Sequence, residues 1–260
     1  MKFIDVHCHI NESDYGGVDA LINNIQAAGV QKIISAGFDL PSSEYCRALA
    51  EKYACVYFTA GIHPTELKNY RDGDIERIAE LARHKKCVAI GETGLDYHYP
   101  DTDKVLQREV FLKQIDLADK LGLPVQIHSR DCAEDTLDIL KANAGKFGAG
   151  GLLHCYSYSP EIALQIQKLG FCFSFGGTCT YSGSKRARRT IAALDADRIM
   201  TETDSPYLAP KSGQGIFPNT PESIPEVAAT IAEIRGAELE EICALLWRNA
   251  HALFKKLNNK

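Results

Sequence analysis

Apolar, strand-like runs alternate with amphipathic stretches from one end of this chain to the other. The runs fall near 3–7, 31–36, 56–62, 86–91, 124–128, 151–154, 171–175 and 198–201. Helical patterns lie near 18–28, 42–53, 73–84, 104–122, 132–143, 160–169, 185–194 and 222–235. The best defined of these carries Leu106, Val110, Ile115, Ala118 and Leu121, then Gly122 and Pro124 as a stop. Eight βα units in roughly 250 residues predict a (β/α)₈ TIM barrel, an α/β fold. An open doubly wound sheet is the competing architecture. A further helix, from about Glu238 to Leu257, is expected to pack on the outside or to close one end. No repeat, low-complexity tract or interdomain linker interrupts the pattern, so 1–260 is expected to form one domain.

Composition narrows the class. With 260 residues and 45% hydrophobic content a sizeable core is expected. There is no signal-like N-terminus and no long apolar segment, so the expectation is a cytoplasmic protein without a membrane partner. Nine cysteines without CxxC pairs, among them Cys87, Cys172 and Cys243 in apolar runs, suit reduced thiols rather than a disulfide framework. A net charge of −5 excludes a uniformly basic nucleic-acid coat but leaves room for a local basic patch.

Chemistry enters at the strand ends. His7 and His9 bracket Cys8, and alternation along a strand puts both imidazoles on one face, roughly 6 to 7 Å apart at their Cα atoms. Later strand-like runs also end in metal-competent side chains: Glu92, His128, His154 and Asp204. In a barrel these ends share the face that carries active sites. Ligands on strands one, four, five, six and eight favour a closed barrel over an open sheet, which gathers them at a switch point. Six donors exceed the needs of one tetrahedral zinc. Two divalent cations bridged by a carboxylate would use them all and leave positions for water; one cation with supporting residues around it is the alternative. Zinc suits the imidazoles, and magnesium or manganese suits a phosphodiesterase. Cys8 and Cys155 are expected to point away from the ligands and pack.

The motifs Asp5-Val6-His7-Cys8-His9, Gly61-Ile62-His63-Pro64, Gly91-Glu92-Thr93-Gly94-Leu95-Asp96-Tyr97, Ile127-His128-Ser129-Arg130, His154-Cys155-Tyr156-Ser157 and Glu202-Thr203-Asp204-Ser205-Pro206-Tyr207-Leu208 occur in order along the chain. In these the sequence resembles the TatD-type metal-dependent deoxyribonucleases, a branch of the amidohydrolase-like metal-dependent hydrolases. The resemblance implies a barrel, 3′-to-5′ hydrolysis of DNA, one cation held by His7, His9, Glu92 and Asp204, and a second held by Glu92, His128 and His154. Glu92 would be the bridge. One departure is visible: family members tend to carry Arg-Asn-x-Pro after the eighth strand, and this chain reads Pro218-Asn219-Thr220-Pro221. The substrate contact of that arginine has no counterpart at Pro218, whereas the ligand set is complete.

Around these ligands, Asp204 is a candidate to orient or deprotonate water, or to ligate only. Glu202 is expected to be a buried, hydrogen-bonded supporting group. His63 is a candidate catalytic and substrate-binding residue that would hydrogen-bond a phosphate or a leaving oxygen. Arg130 is placed to clamp a phosphate or to form an ion pair, and Asp96 to support a ligand. Lys185, Arg186, Arg188 and Arg189 are a candidate phosphate-binding edge, or a solvated helix face. Tyr97, Tyr99, Tyr156, Tyr158, Tyr181 and Tyr207 lie beyond strand ends as candidate stacking surfaces. The expected partner is DNA, single-stranded or at 3′ ends, with no obligate protein partner. A lactonase, esterase or amidohydrolase for a small molecule, and a non-enzymatic metal-binding scaffold, are the alternatives.

Overall fold

The computed structural model describes residues 1–258. Eight parallel strands, β1 (Phe3–Cys8), β2 (Val30–Ala36), β3 (Val56–Ala60), β4 (Cys87–Asp96), β5 (Val125–Arg130), β6 (Gly151–Leu153), β7 (Phe171–Phe175) and β8 (Ile199–Thr201), follow one another in sequence order around one sheet. Helices alternate with them, and the expected (β/α)₈ barrel is what forms. Local chemistry sets the helix limits. Asp103 accepts from the backbone N–H groups of Val105 and Leu106 to start Lys104–Leu121, and Gly122 ends it in a left-handed conformation. Asp39 and Ser42 cap Leu40–Lys52 reciprocally. A short helical turn at Glu12–Tyr15, which no apolar periodicity announces, follows β1.

Two layers of apolar packing result. The outer one lies between strands and helices and includes Ile33, Phe58, Phe111, Ile115, Phe171 and Ile231. The inner one fills the barrel with Ile4, Val6, Ile34, Val88, Leu152 and Met200. Ala250, Leu253, Phe254 and Leu257 pack against that inner layer, so the C-terminal segment closes the barrel's N-terminal end. Its helix, Leu239–Leu253, stops short of the expected Leu257; Lys255–Asn258 tightens into a 3₁₀ turn that inserts Leu257. All nine cysteines are free, and eight of them are buried.

Two of the strand boundaries that move shape the site. β3 ends at Ala60 rather than at residue 62, because the N–H groups of Gly61 and Ile62 leave the ladder for Ser43 Oγ and Gln114 Oε1. β4 runs on to Asp96, so Glu92 lies inside a strand and not at its end. Between Ile90 and Thr93 the β4–β5 register shifts, and Gly91 and Gly94 adopt φ values of 152° and 140°. A Cβ on Gly94 would lie 2.0 Å from the carbonyl oxygen of His128. The glycines of Gly91-Glu92-Thr93-Gly94 thus let β4 bulge while staying tight against β5, and the bulge carries Glu92 to the middle of the barrel mouth.

The barrel closes between β8 and β1 through the segment just past β8. Asp204 N–H donates to the His7 carbonyl at 3.0 Å and His9 N–H donates to the Ser205 carbonyl at 2.7 Å. The buried Asp5 carboxylate accepts from His7 N–H, from Thr203 N–H and, at 2.5 Å, from the Thr203 hydroxyl. One carboxylate therefore fixes the two chain segments that carry His7, His9 and Asp204.

Candidate metal centre

The six predicted ligands converge at the C-terminal mouth of the barrel, around Glu92. Its two oxygens face different partners. Oε2 lies 3.5 Å from Nε2 of both His7 and His9, and Asp204 Oδ1 completes this group at 3.5 and 3.4 Å from the same two nitrogens. Oε1 lies 2.8 Å from His154 Nε2, 3.1 Å from His128 Nδ1 and 3.4 Å from His63 Nε2. The carboxylate stands between two donor sets, the arrangement a bridging ligand requires.

Hydrogen bonds behind the rings fix what each nitrogen offers. Gln126 donates through Nε2 to the Val6 carbonyl, which turns its Oε1 to accept from His7 Nδ1 at 2.9 Å. His9 Nδ1 donates to the Ala36 carbonyl at 3.1 Å. Both Nε2 atoms are then left with lone pairs, facing one another at 3.2 Å and facing two carboxylates. With both rings neutral, four acceptors converge with no donor among them, which fits a cation; without one, His7 keeps a proton that it shares with the carboxylates. His128 donates through Nε2 to Asp96 Oδ2 at 2.9 Å, leaving Nδ1 free toward Glu92. Asp96 thus fixes the ring of a predicted ligand.

His63 differs. Its Nδ1 accepts from Thr65 N–H at 3.2 Å, with the Thr65 hydroxyl at 2.7 Å. The proton then sits on Nε2, aimed at Glu92 Oε1. His63 is built as a hydrogen-bond donor beside the donor sets.

Charge follows the same division. Burial works against ionising Glu92, yet His154, His63, His7 and the hydrogen bond from His128 hold it well below the usual carboxylate range. Asp204 is likewise depressed, burial being outweighed by the hydrogen bonds from His7 and His9. Burial would lower His7, but the Glu92 and Asp204 carboxylates lift it to about 10 in the absence of a cation. His154 drops to about 4 through burial and the neighbouring His7. Glu202, wholly buried, is raised by burial to about 8; Ser174 donates to its Oε2 at 2.5 Å, and the orphaned His154 Nδ1 lies 3.8 Å away. It stands behind His154, buried and hydrogen-bonded to Ser174.

Around the centre lies an open cleft of about 960 Å³. His63, Arg130, Tyr156, Arg186 and Tyr207 all line it, as do Tyr99 and Phe38. Lys185, one residue before Arg186, is exposed outside the lining, and Arg188 is engaged by Glu233. Arg130 forms no ion pair among the described residues, and its guanidinium lies 6.0 Å over the Tyr99 ring. Cys155 departs from expectation: a positive φ of 45° turns it into the cleft lining beside His154, whereas Cys8 packs in the layer between strands and helices, its thiol on the Ile34 carbonyl. Among the tyrosines, Tyr97, Tyr158 and Tyr181 spend their hydroxyls on Asp135, the Cys132 backbone and the Ala209 carbonyl. Tyr99 and Tyr207 keep exposed rings at the rim.

The sequence profile of the TatD related DNase family matches residues 4–255. The chain belongs to this family. TatD-family relatives include the metal-dependent hydrolase YabD of Bacillus subtilis, 37% identical over 96% of this chain and 98% of that protein. The metal-dependent hydrolase YcfH of Escherichia coli is 35% identical over 98% and 96% of the two chains. The crystal structure of the TatD homologue YjjV from Escherichia coli superposes with a TM-score of 0.91 at 32% identity, covering 97% of this chain and 98% of that one. A TatD-family metal-dependent hydrolase is therefore the coarse identity of this protein.

Within that TatD frame, sequence reading passed over Gln126 and the clamping role of Asp5. Each carried a signal. Both are polar residues flanked by apolar neighbours, two positions before a predicted ligand, and period two puts them on that residue's face. Thr65, which sets the His63 tautomer, had none, because the turn after β3 brings it into reach.

Proposed function

We propose that this TatD-family hydrolase cleaves DNA phosphodiesters, trimming single strands from their 3′ ends. The observation that carries the reading is one cleft holding a convergent acceptor cluster, two arginines (Arg130 and Arg186) and exposed aromatic rings. A substrate with negative charge and planar bases answers all three.

In this reading His7, His9, Glu92 and Asp204 hold one divalent cation, and Glu92, His128 and His154 hold a second, both being zinc, magnesium or manganese. The cations supply Lewis acidity at a phosphoryl oxygen and lower the pKa of water. The protein's own groups do the rest. Asp204, ionised, accepts a hydrogen bond from the attacking water and orients it. His63, with its proton on Nε2, donates to the phosphate or to the leaving oxygen. Arg130 and Arg186 bind flanking phosphates. Gln126, Asp96 and Asp5 keep the ligating groups in register.

The test is hydrolysis of 3′- and 5′-labelled single-stranded and duplex DNA by metal-stripped protein reloaded separately with magnesium, manganese or zinc. A Glu92→Ala/His128→Ala double variant is the control. Shortening from the 3′ end, dependent on metal and absent in the control, is expected. No cleavage under any metal, together with turnover of a lactone or amide panel, overturns the reading.

A further inference from the structure

The rim on the β8 side carries an apolar surface that no step above uses. Tyr207, Ile216 and Phe217 expose 57, 64 and 60% of their surface, and Leu208 is also exposed. Solvent-exposed aromatic side chains gathered at the lip of a charged cleft call for an occupant. Their backbone is fixed although their side chains are open. Tyr207 N–H donates to the Asp204 carbonyl at 3.0 Å, so its ring stands one turn from a metal ligand. The buried Asn219 donates through Nδ2 to the Tyr207 carbonyl at 2.8 Å, and its N–H donates to the Pro206 carbonyl at 2.8 Å. These bonds lock Phe217 beside Tyr207, with ring centroids 6.2 Å apart and planes 44° from each other. The two rings are splayed rather than stacked, and each keeps a face open.

Resting on the nuclease reading, we infer that Tyr207 and Phe217 form a stepped platform on which consecutive bases of a single strand stack as the strand leaves the metal centre. The placement selects the occupant. Tyr207 lines the cleft with Arg130 and Arg186, whereas Phe217 lies beyond the lining, so a ligand that reaches both must extend out of the cleft. A strand with its phosphates at the arginines presents unpaired bases to this rim; a small ester or lactone held at the metal centre does not reach Phe217. Paired bases are shielded by their stacked neighbours, so the platform favours single strands over duplex. Recognition is by π faces and is tolerant of sequence.

The experiment compares wild type, Phe217→Ala, Phe217→Trp and Tyr207→Leu on a labelled thymidine octamer and on the same octamer with abasic sites next to the scissile linkage. KM and kcat are measured with the supporting metal, and sedimentation gives the mass of each protein. In wild type, abasic sites are expected to raise KM roughly tenfold, in line with loss of base–aromatic stacking. Phe217→Ala should show a similar rise on the intact octamer, little further loss on the abasic one, and an unchanged kcat; Phe217→Trp should restore the wild-type KM. Equal KM for both octamers in wild type, or a full abasic penalty retained in Phe217→Ala, overturns the platform and leaves the nuclease reading standing. A dimeric wild type made monomeric by Phe217→Ala also overturns it, since the rim is then a contact between copies. No cleavage of any octamer overturns the nuclease reading itself, and the platform with it.

Discussion

Replacing Asp96 with asparagine separates the two halves of the proposed centre. Asp96 is 2% exposed and touches no predicted ligand except His128, whose Nε2 it accepts at 2.9 Å. Burial alone would lower the His128 imidazole, yet the hydrogen bonds to Asp96 and Glu92 and the charges of both lift it from 6.5 to about 9. That difference corresponds to roughly 3 kcal/mol of net stabilisation for positive charge at this ring. If Asp96 supplies half, its carboxylate contributes on the order of 1 to 2 kcal/mol, which sets roughly 20-fold as the scale of its effect on a cation held through Nδ1. This lies inside the range of roughly 10- to 100-fold found for carboxylates that support ligating histidines. Asparagine has the same shape and keeps one acceptor for His128 at the expense of the bond from His98 N–H, so the fold should persist with a modestly lowered melting temperature. Calorimetric titration of metal-stripped protein is expected to resolve one binding step weakened about 20-fold and another within about threefold of wild type, the scatter expected of a distant interaction. Equal weakening of both steps would refute the division of Glu92 between two donor sets. An unchanged titration would refute the assignment of Asp96 to His128.

Five further outcomes follow from the same geometry. Exchanging both His7 and His9 for alanine should abolish one binding step and spare the other, read as metal per chain by elemental analysis after dialysis; loss of all metal would favour a single cation. His7 and His128 are lifted to about 10 and about 9, so at pH 7 both carry protons that a cation must displace. Metal affinity should rise with pH toward 9 with proton release, measurable by calorimetry in buffers of different ionisation enthalpy. The metal-free fold has the opposite slope from these two groups: their stabilisation is full below the unfolded value of 6.5 and is lost as pH rises through 9 and 10, a decline that melting scans can follow. Phe254→Ala should cost about 3 to 5 kcal/mol in denaturant unfolding, because it opens the inner layer at the barrel floor. Gly94→Ala forces a Cβ to within 2.0 Å of the His128 carbonyl oxygen at a φ of 140°, so it should lower the melting temperature and weaken the His128 binding step beyond the effect of Asp96→Asn.

The barrel was readable in the sequence because its determinants are local. Buried parallel strands are short apolar runs, amphipathic helices repeat at their own period, and Asp103 and Gly122 mark helix limits within a few residues of where they act. The convergence of the predicted ligands was readable for a related reason: a polar group at the end of an apolar run has few structural uses, and Glu92, His128 and His154 each follow one. What the sequence concealed depends on contacts between strands. The bulge of β4 comes from the proximity of Gly91 to Gln126 and of Gly94 to His128, pairs separated by more than thirty positions. The same bulge moves Glu92 from an expected strand end into a strand interior, where its two oxygens part between the donor sets. Cys155 illustrates the limit of alternation. Strand period two placed it opposite His154, but β6 has already ended at Leu153, and a residue with positive φ no longer obeys a strand's period. Substrate contacts are hardest to read because their residues answer to no period at all. Tyr207 and Phe217 are ten positions apart in irregular chain, and it is Asn219, a buried amide with hydrogen bonds to Pro206 and Tyr207, that makes one rim of them. A polar residue buried in a loop is therefore the feature to seek where periodicity ends, since burying it demands partners, and the partners tell which segments meet.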